Sequence, residues 1–210
     1  MRFQRRRWRF KYNYDMAWNT QETRRRLQQA ACAEFTAHGP DGTTMARIAA
    51  LAGINKERLY NYFGDKRQLF ETVLIDELEK LAASLGQNAP GLDNIGEYTG
   101  RIFDYHAANP HLVRLLLWES LSDGPPVNET ARSAHYQRTV AMFADAQRNG
   151  ILNDELDPGK LVFSLIGLAA WWFAVPQLSC LVTASDGNGP AERNDRRSFV
   201  VSAAQRLGLP

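Results

Sequence analysis

The sequence is short of the features that announce catalysis or secretion. Its 210 residues hold two cysteines, Cys32 and Cys180, far apart in the chain, which points to reduced, buried small residues rather than a disulfide framework. No Gly-rich phosphate loop, His-Glu-x-x-His or Gly-x-Ser-x-Gly occurs, so nothing signals nucleotide, zinc-protease or serine-hydrolase chemistry. His106 and His111 stand five apart with Pro110 between them, and with His135 they offer no metal-ligand spacing. No enzyme activity, metal or cofactor is therefore expected. A basic start without an apolar run after it is not a secretory signal, and the expected location is cytoplasmic. Strand-like alternation persists nowhere, and no internal repeat or low-complexity tract is visible beyond the basic start. The fold class read from this pattern is all-α.

Charge is the first positive signal. The chain is long enough for one generous domain or two small ones with ample core, and its net charge is only +2. That balance conceals a division. Residues 1–15 carry six basic side chains and one acid, residues 16–70 carry eight and five, and residues 71–210 carry eleven and seventeen. Positive charge gathered at one end is the footprint of a phosphate-binding module. The first fifteen residues interleave Arg2, Arg5, Arg6, Arg7, Arg9 and Lys11 with Phe3, Trp8, Phe10, Tyr12 and Tyr14. Three readings exist for them: a basic arm that contacts nucleic acid, a membrane-surface patch, which fifteen residues without a clear apolar face serve poorly, and a start assigned upstream of a natural one at Met16.

The stretch from Thr43 to Phe63 is the most informative. Met45, Ile48, Ala49 and Ala52 recur at i, i+3, i+4 and i+7, one apolar stripe on a short helix. Gly53 supplies the freedom a tight turn needs, and Asn55 can cap a second helix that offers Leu59 and Phe63 to a core. Two short helices joined by a Gly-containing turn are the pattern of a helix-turn-helix, whose second helix lies in the DNA major groove. An ordinary helical hairpin in an all-α core has the same spacing. The residues on either side favour the helix-turn-helix. Asp65 with Gln68 three residues on is a helix start of capping-box type. The preceding segment, from Thr23 to His38, places Leu27, Ala31 and Phe35 on one face and stops at Gly39-Pro40.

Over residues 20 to 70 the chain resembles the DNA-binding domain of the TetR family of transcriptional repressors. The matching residues are Thr43-Thr44, Ile48-Ala49, Ala52-Gly53-Ile54, Leu59-Tyr60-Asn61-Tyr62-Phe63, and Lys66 with Leu69. The resemblance implies a basic extension at 1–18, a three-helix helix-turn-helix domain at 19–66, and a larger helical effector-binding and dimerisation domain at 67–210. It implies double-stranded DNA as partner, with Thr44, Tyr60, Tyr62 and Lys66 holding phosphates and Arg47 helping. Lys56, Glu57 and Asn61 carry the donors and acceptors suited to base edges, and Thr43 and Asn55 complete the candidate set. The expected function is a ligand-responsive repressor that binds a palindromic operator as a homodimer. The alternatives are a sequence-indifferent DNA binder and a helical small-molecule binder with no DNA role.

Beyond residue 70, Pro and Gly signals divide the chain into helices: one to Gly86, then about 95–108, 112–118, 127–148, one starting at Pro158, and a last one over 192–206. Loops are expected at 87–94 and 186–190. The run from Leu161 to Val182 has no charged side chain, which meets the length of a membrane span, but Pro176 interrupts it. An apolar helix of this kind is also what a buried interface requires. The resemblance makes this run and the last helix the dimer interface, through Leu161, Leu165, Leu168, Ala169, Phe199 and Ala203, with no membrane role. By the same resemblance a small-molecule effector of unknown identity would occupy a cleft lined by Phe103, Tyr105, His106, Trp118, Glu119, Met142, Phe143, Trp171 and Trp172. Plain core is the ordinary alternative for such aromatics.

Overall fold

A computed structural model of the chain describes residues 4–86, 91–185 and 189–209, and side chains from Thr20 onward. The expected arm contacts of residues 1–15, and the loop residues 87–90 and 186–188, lie outside this description. Among the described residues every regular element is helical: α1 (Gln4–Gly42), α2 (Met45–Ala52), α3 (Lys56–Phe63), α4 (Lys66–Gly86), α5 (Ile95–Ala108), α6 (Pro110–Ser120), α7 (Glu129–Arg148), α8 (Pro158–Ala174), α9 (Pro176–Thr183) and α10 (Pro190–Gly208), with a single 3₁₀ turn at Leu92–Asn94. The chain forms two compact units, residues 1–74 and 75–210.

In the first unit α1 starts well before Thr23, because residues 4–22 contain no Gly or Pro to stop it. Its regular path ends where Gly39 takes a left-handed φ of 71° ahead of Pro40. Leu27, Ala31 and Phe35 of α1 are fully buried, as are Ile48, Leu59 and Leu69, and the Phe35 and Phe70 rings meet edge to face at 5.3 Å. The starts of α2, α3 and α4 each carry a polar lock. Thr44 accepts from the Arg47 amide at 3.2 Å and Asn55 from the Glu57 amide at 2.9 Å. At α4 both halves of the capping box form: the Gln68 amide donates to Asp65 Oδ1 at 2.9 Å, and the Asp65 amide donates to Gln68 Oε1 at 3.0 Å. Gly53 caps α2 in the left-handed region, and the Arg26 guanidinium donates to the last carbonyl of that helix, Ala52 O, at 2.6 Å.

In the second unit α5 is the central helix. Gly96 and Gly100 let it approach α10 so closely that a Cβ at Gly96 would stand 2.9 Å from the Val201 carbonyl oxygen. Arg197 on α10 pins the pair at both ends, donating to Glu97 at 2.8 Å and to Asp104 at 2.8 Å. On its other side α5 packs with α7 and α8 through Ile95, Phe143, Leu161 and Leu165. α7 begins at Glu129 because Asn128 adopts a left-handed φ of 52°.

The apolar run from Leu161 to Val182 is not one helix. Val175-Pro176 breaks it into α8 and α9, bent by 91°. Among the described residues no single helix is long and apolar enough to cross a membrane. Its inward residues also differ from the interface expected of them. Leu161, Leu165 and Ala169 are fully buried within the single chain and have no area left for a partner, while Leu168 is half-buried. The large apolar groups that α8 and α10 leave most exposed are Phe163 (78% exposed), Trp171 and Phe199 (57% each), and Ala203 of α10 is half-buried.

Candidate nucleic-acid interface and ligand cavity

The face of α3 turned away from the first core is set by helical phase. Leu59 and Phe63 point inward, so Glu57 and Asn61, one turn apart, stand at the centre of the outward face. Lys56, Arg58 and Tyr60 flank them and are exposed, Asn55 is exposed at the cap, and Tyr62 is half-buried with its ring against Phe63. Lys56 Nζ lies 5.6 Å from the centre of the Tyr60 ring, which keeps the ammonium near the surface without consuming its hydrogen bonds.

Around this face sits a polar collar. Thr43 is buried, with 2% exposure, and its hydroxyl donates to Glu34. Its side chain therefore anchors the loop before α2 and offers no free donor, a correction to its place in the candidate DNA-binding set. The same Glu34 carboxylate holds the Arg47 guanidinium at 3.2 Å. Lys66 donates to the Thr43 carbonyl at 3.3 Å and lies 3.9 Å from Asp41, so its ammonium is fixed at the start of α4. Thr44 is exposed beside them. Arg58, outside the candidate set, is exposed on α3 as the period of the helix requires.

The second unit contains a cavity of about 280 Å³ walled by α4, α5, α7 and α8. Its floor is apolar, built from Leu78, Leu81 and Leu85 of α4, Ile102 of α5, and Val162, Leu165 and Ile166 of α8. Polar groups come from Tyr98, His106, Arg132, His135, Tyr136 and Thr139. Exposed lining residues, among them Ala82, Ala131 and Tyr136, mark its mouth between α4 and α7. His106 is 2% exposed, and burial pulls its pKa down to about 4. Its Nδ1 has no hydrogen-bond partner. Burial also pushes the Tyr98 phenol up, so it stays protonated. Arg132 donates to Glu119 Oε1 at 2.6 Å and to the Val127 carbonyl at 3.1 Å, and the Val127 amide donates to the same Glu119 oxygen at 2.7 Å.

Of the nine side chains expected to line a cleft, the structure brings two to the cavity wall, His106 and Phe143. Phe103 packs with Phe173 at 5.2 Å on the α10 side of α5. Tyr105 and Trp118 are half-buried away from the cavity, and Met142 and Trp171 face outward. Trp172 lies between Phe199 and the Arg196 guanidinium. Glu119 acts one step back, as the brace of Arg132. The missed lining residues are explained by phase: Tyr98, Ile102 and His106 share one face at i, i+4 and i+8, whereas Phe103 and Tyr105 do not. Of the other histidines, His135 also lines the cavity, while His111 is engaged by Glu77 at 2.7 Å.

Comparison with known proteins fixes the lineage. Residues 27–73 match the family model described as bacterial regulatory proteins, tetR family, and residues 94–206 match the tetracyclin repressor-like C-terminal domain. Over 187 residues the chain is 37% identical to the HTH-type transcriptional repressor SCO4008 of Streptomyces coelicolor, covering 88% of this chain and 94% of that one. The chain belongs to the TetR family. It is a ligand-responsive, DNA-binding transcriptional repressor. Another TetR-family relative, the HTH-type transcriptional regulator TtgR of Pseudomonas putida, is 26% identical over 74% of this chain and 82% of its own. Among solved structures, the transcriptional regulator SCO4942 of Streptomyces coelicolor superposes with a TM-score of 0.77 at 30% identity, over 89% of this chain and 98% of that one. These relatives are regulators of transcription, not enzymes.

Proposed function

We propose that this repressor works in the cytoplasm as a homodimer that sets two copies of α3 into successive major grooves of a palindromic operator. The observation that carries this reading is the outward face of α3, where Glu57 and Asn61 stand opposite the buried Leu59 and Phe63. Both can read base edges, and Lys56 and Asn55 lie within the same surface. Thr44, Tyr60, Tyr62, Lys66 and Arg47 form the surrounding collar and take the phosphates. The dimer is built on α8 and α10 through Phe163, Trp171 and Phe199, with Leu168 and Ala203 at their edges. A small molecule held in the cavity of the second unit changes the DNA affinity. It does so by preferring one of two states of the chain, and α4, which contributes both Lys66 and the cavity residues Leu78 and Ala82, is the element that transmits the preference.

A mobility shift with the DNA upstream of its own gene tests the reading. A shift resistant to competitor DNA supports it, whereas a shift with every DNA indicates sequence-indifferent binding, and no shift removes the DNA role. Two substitutions divide the interface. Lys66→Ala is expected to weaken binding to all sequences alike and to lower the dependence of log K on log salt by about one; an unchanged slope takes Lys66 off the phosphates. Asn61→Ala is expected to narrow the gap between operator and random DNA by about 1–3 kcal/mol. If that gap is untouched, Asn61 is not part of base readout.

A further inference from the structure

We propose that Glu34, a carboxylate of α1 outside the DNA-reading helix, is the positioning residue for the cations Arg47 and Lys66, and that it thereby sharpens the choice of operator over random DNA. This rests on the reading of Arg47 and Lys66 as phosphate contacts and adds what orients them. The Glu34 side chain is 13% exposed and reaches both arms of the collar. Its Oε2 accepts from the Thr43 hydroxyl and lies 3.2 Å from Arg47 Nη2, while Oε1 accepts from the same nitrogen at 3.4 Å. Among the described residues no other nitrogen of that guanidinium is engaged, and the Arg47 side chain is 50% exposed. One end of the fork is thus fixed while the rest is open to a phosphate. The second arm runs through Thr43. Glu34 holds its hydroxyl, and its carbonyl accepts from Lys66 Nζ at 3.3 Å.

A carboxylate at this place works against DNA affinity, because it repels every phosphate alike. Anchoring Thr43 does not require the charge, since a neutral amide oxygen accepts the same proton. Stability does not require it either: an ion pair with one partner half exposed contributes little to the fold. What the charge does provide is a fixed place for Arg47. A free arginine swings to a phosphate in any register of the protein on the duplex. One held in advance meets a phosphate only where α3 lies in the register that brings one there. Phosphate contacts carry no sequence themselves, but they set register and orientation, and preorganised groups lose less freedom on binding. Fixing them therefore favours the operator complex over the many misaligned ones.

Anisotropy titrations of the full-length protein test this with two duplexes of one length, the DNA upstream of its own gene and a scrambled copy of it. Glu34→Gln keeps the acceptor for Thr43 and removes only the charge. It is expected to bind the scrambled duplex more tightly and to lose about fivefold or more of the operator-to-scrambled ratio, with the thermal midpoint unchanged. On an Arg47→Ala background the same substitution should change that ratio by less than about twofold. Glu34→Ala also releases Thr43, and with it Lys66, so it should lose more of the ratio than Glu34→Gln. A Glu34→Gln ratio equal to wild type would overturn the positioning role and leave the DNA reading standing. A loss that persists without Arg47, or that comes with a lowered thermal midpoint, would reduce Glu34 to a fold anchor and overturn the role as well. A folded Glu34→Ala no worse than Glu34→Gln would strike Lys66 from the proposal; should it misfold, the cycle with glutamine decides alone. Arg47→Ala binding both duplexes as the wild type does would remove Arg47 from the phosphates and take the inference with it. A wild type without preference between the duplexes would overturn the operator reading itself.

Discussion

Trp171→Glu combined with Phe199→Glu should yield a folded monomer that no longer retards operator DNA. Both side chains are largely exposed in the single chain, so neither change opens a cavity or buries a charge in the monomer. In the dimer the balance reverses. Fully burying an aromatic of this size is worth about 1.5–3 kcal/mol, and two-fold symmetry uses each residue twice. Glutamates placed there also face each other without a counter-charge in a desolvated contact. At tenfold per 1.4 kcal/mol, dimer dissociation should strengthen by at least about a thousandfold. Operator affinity falls with it, because one half-site carries too few contacts, although the helix-turn-helix is untouched. Sedimentation velocity of the wild type settles the premise first. A wild type that stays monomeric at micromolar concentration would sink the dimer, and a double variant that still dimerises would move the interface elsewhere.

The second large effect is a pH dependence of stability centred on His106. Folding pulls its pKa from 6.5 to about 4 through burial. Between these values the unfolded chain holds a proton that the folded chain refuses, so unfolding gains as the pH falls. The stabilisation is complete above about pH 6.5 and is progressively lost toward pH 4, amounting to about 3 kcal/mol over that window. His106→Leu removes the linkage. Urea unfolding midpoints at pH 4.5 and 7.5 should therefore differ less for the variant than for the wild type, the carboxylates contributing equally to both. Parallel curves would show that His106 is protonated in the folded state or already neutral in the unfolded one.

The first unit is readable in the sequence because its determinants are local. The stripe from Met45 to Ala52, the cap at Asn55, the left-handed Gly53 and the Asp65–Gln68 box each act within a few residues, and the helices form where those signals stand. Helix boundaries in the second unit are set by Pro110, Pro158 and Pro190 for the same reason. The cavity was only partly legible. Aromatic content drew attention to Phe103, Tyr105 and Trp172, but the wall is decided by the phase of one helix against three others. That phase assigns Tyr98 and His106 to the cavity and Phe103 to the α10 contact. Thr43 shows the converse, a polar residue beside the DNA-reading helix whose hydroxyl is taken by Glu34, the same carboxylate that holds Arg47. Lack of charge marked residues 161–182 as buried or interfacial, yet it could not say which side of α8 the protein itself covers.

At Gly96 and Gly100 two helices meet with almost no side-chain layer between them, and this decides where the second unit can breathe. Amides along such a seam exchange with deuterium only when α5 and α10 separate, which requires breaking the Arg197 fork and exposing the surrounding core. The opposite wall of the cavity has no such constraint, since α7 presents His135 and Tyr136 to solvent. Solvent and solute therefore reach the interior at the mouth between α4 and α7, while the amides on the seam of α5 and α10 are expected to be the slowest of the second unit to exchange.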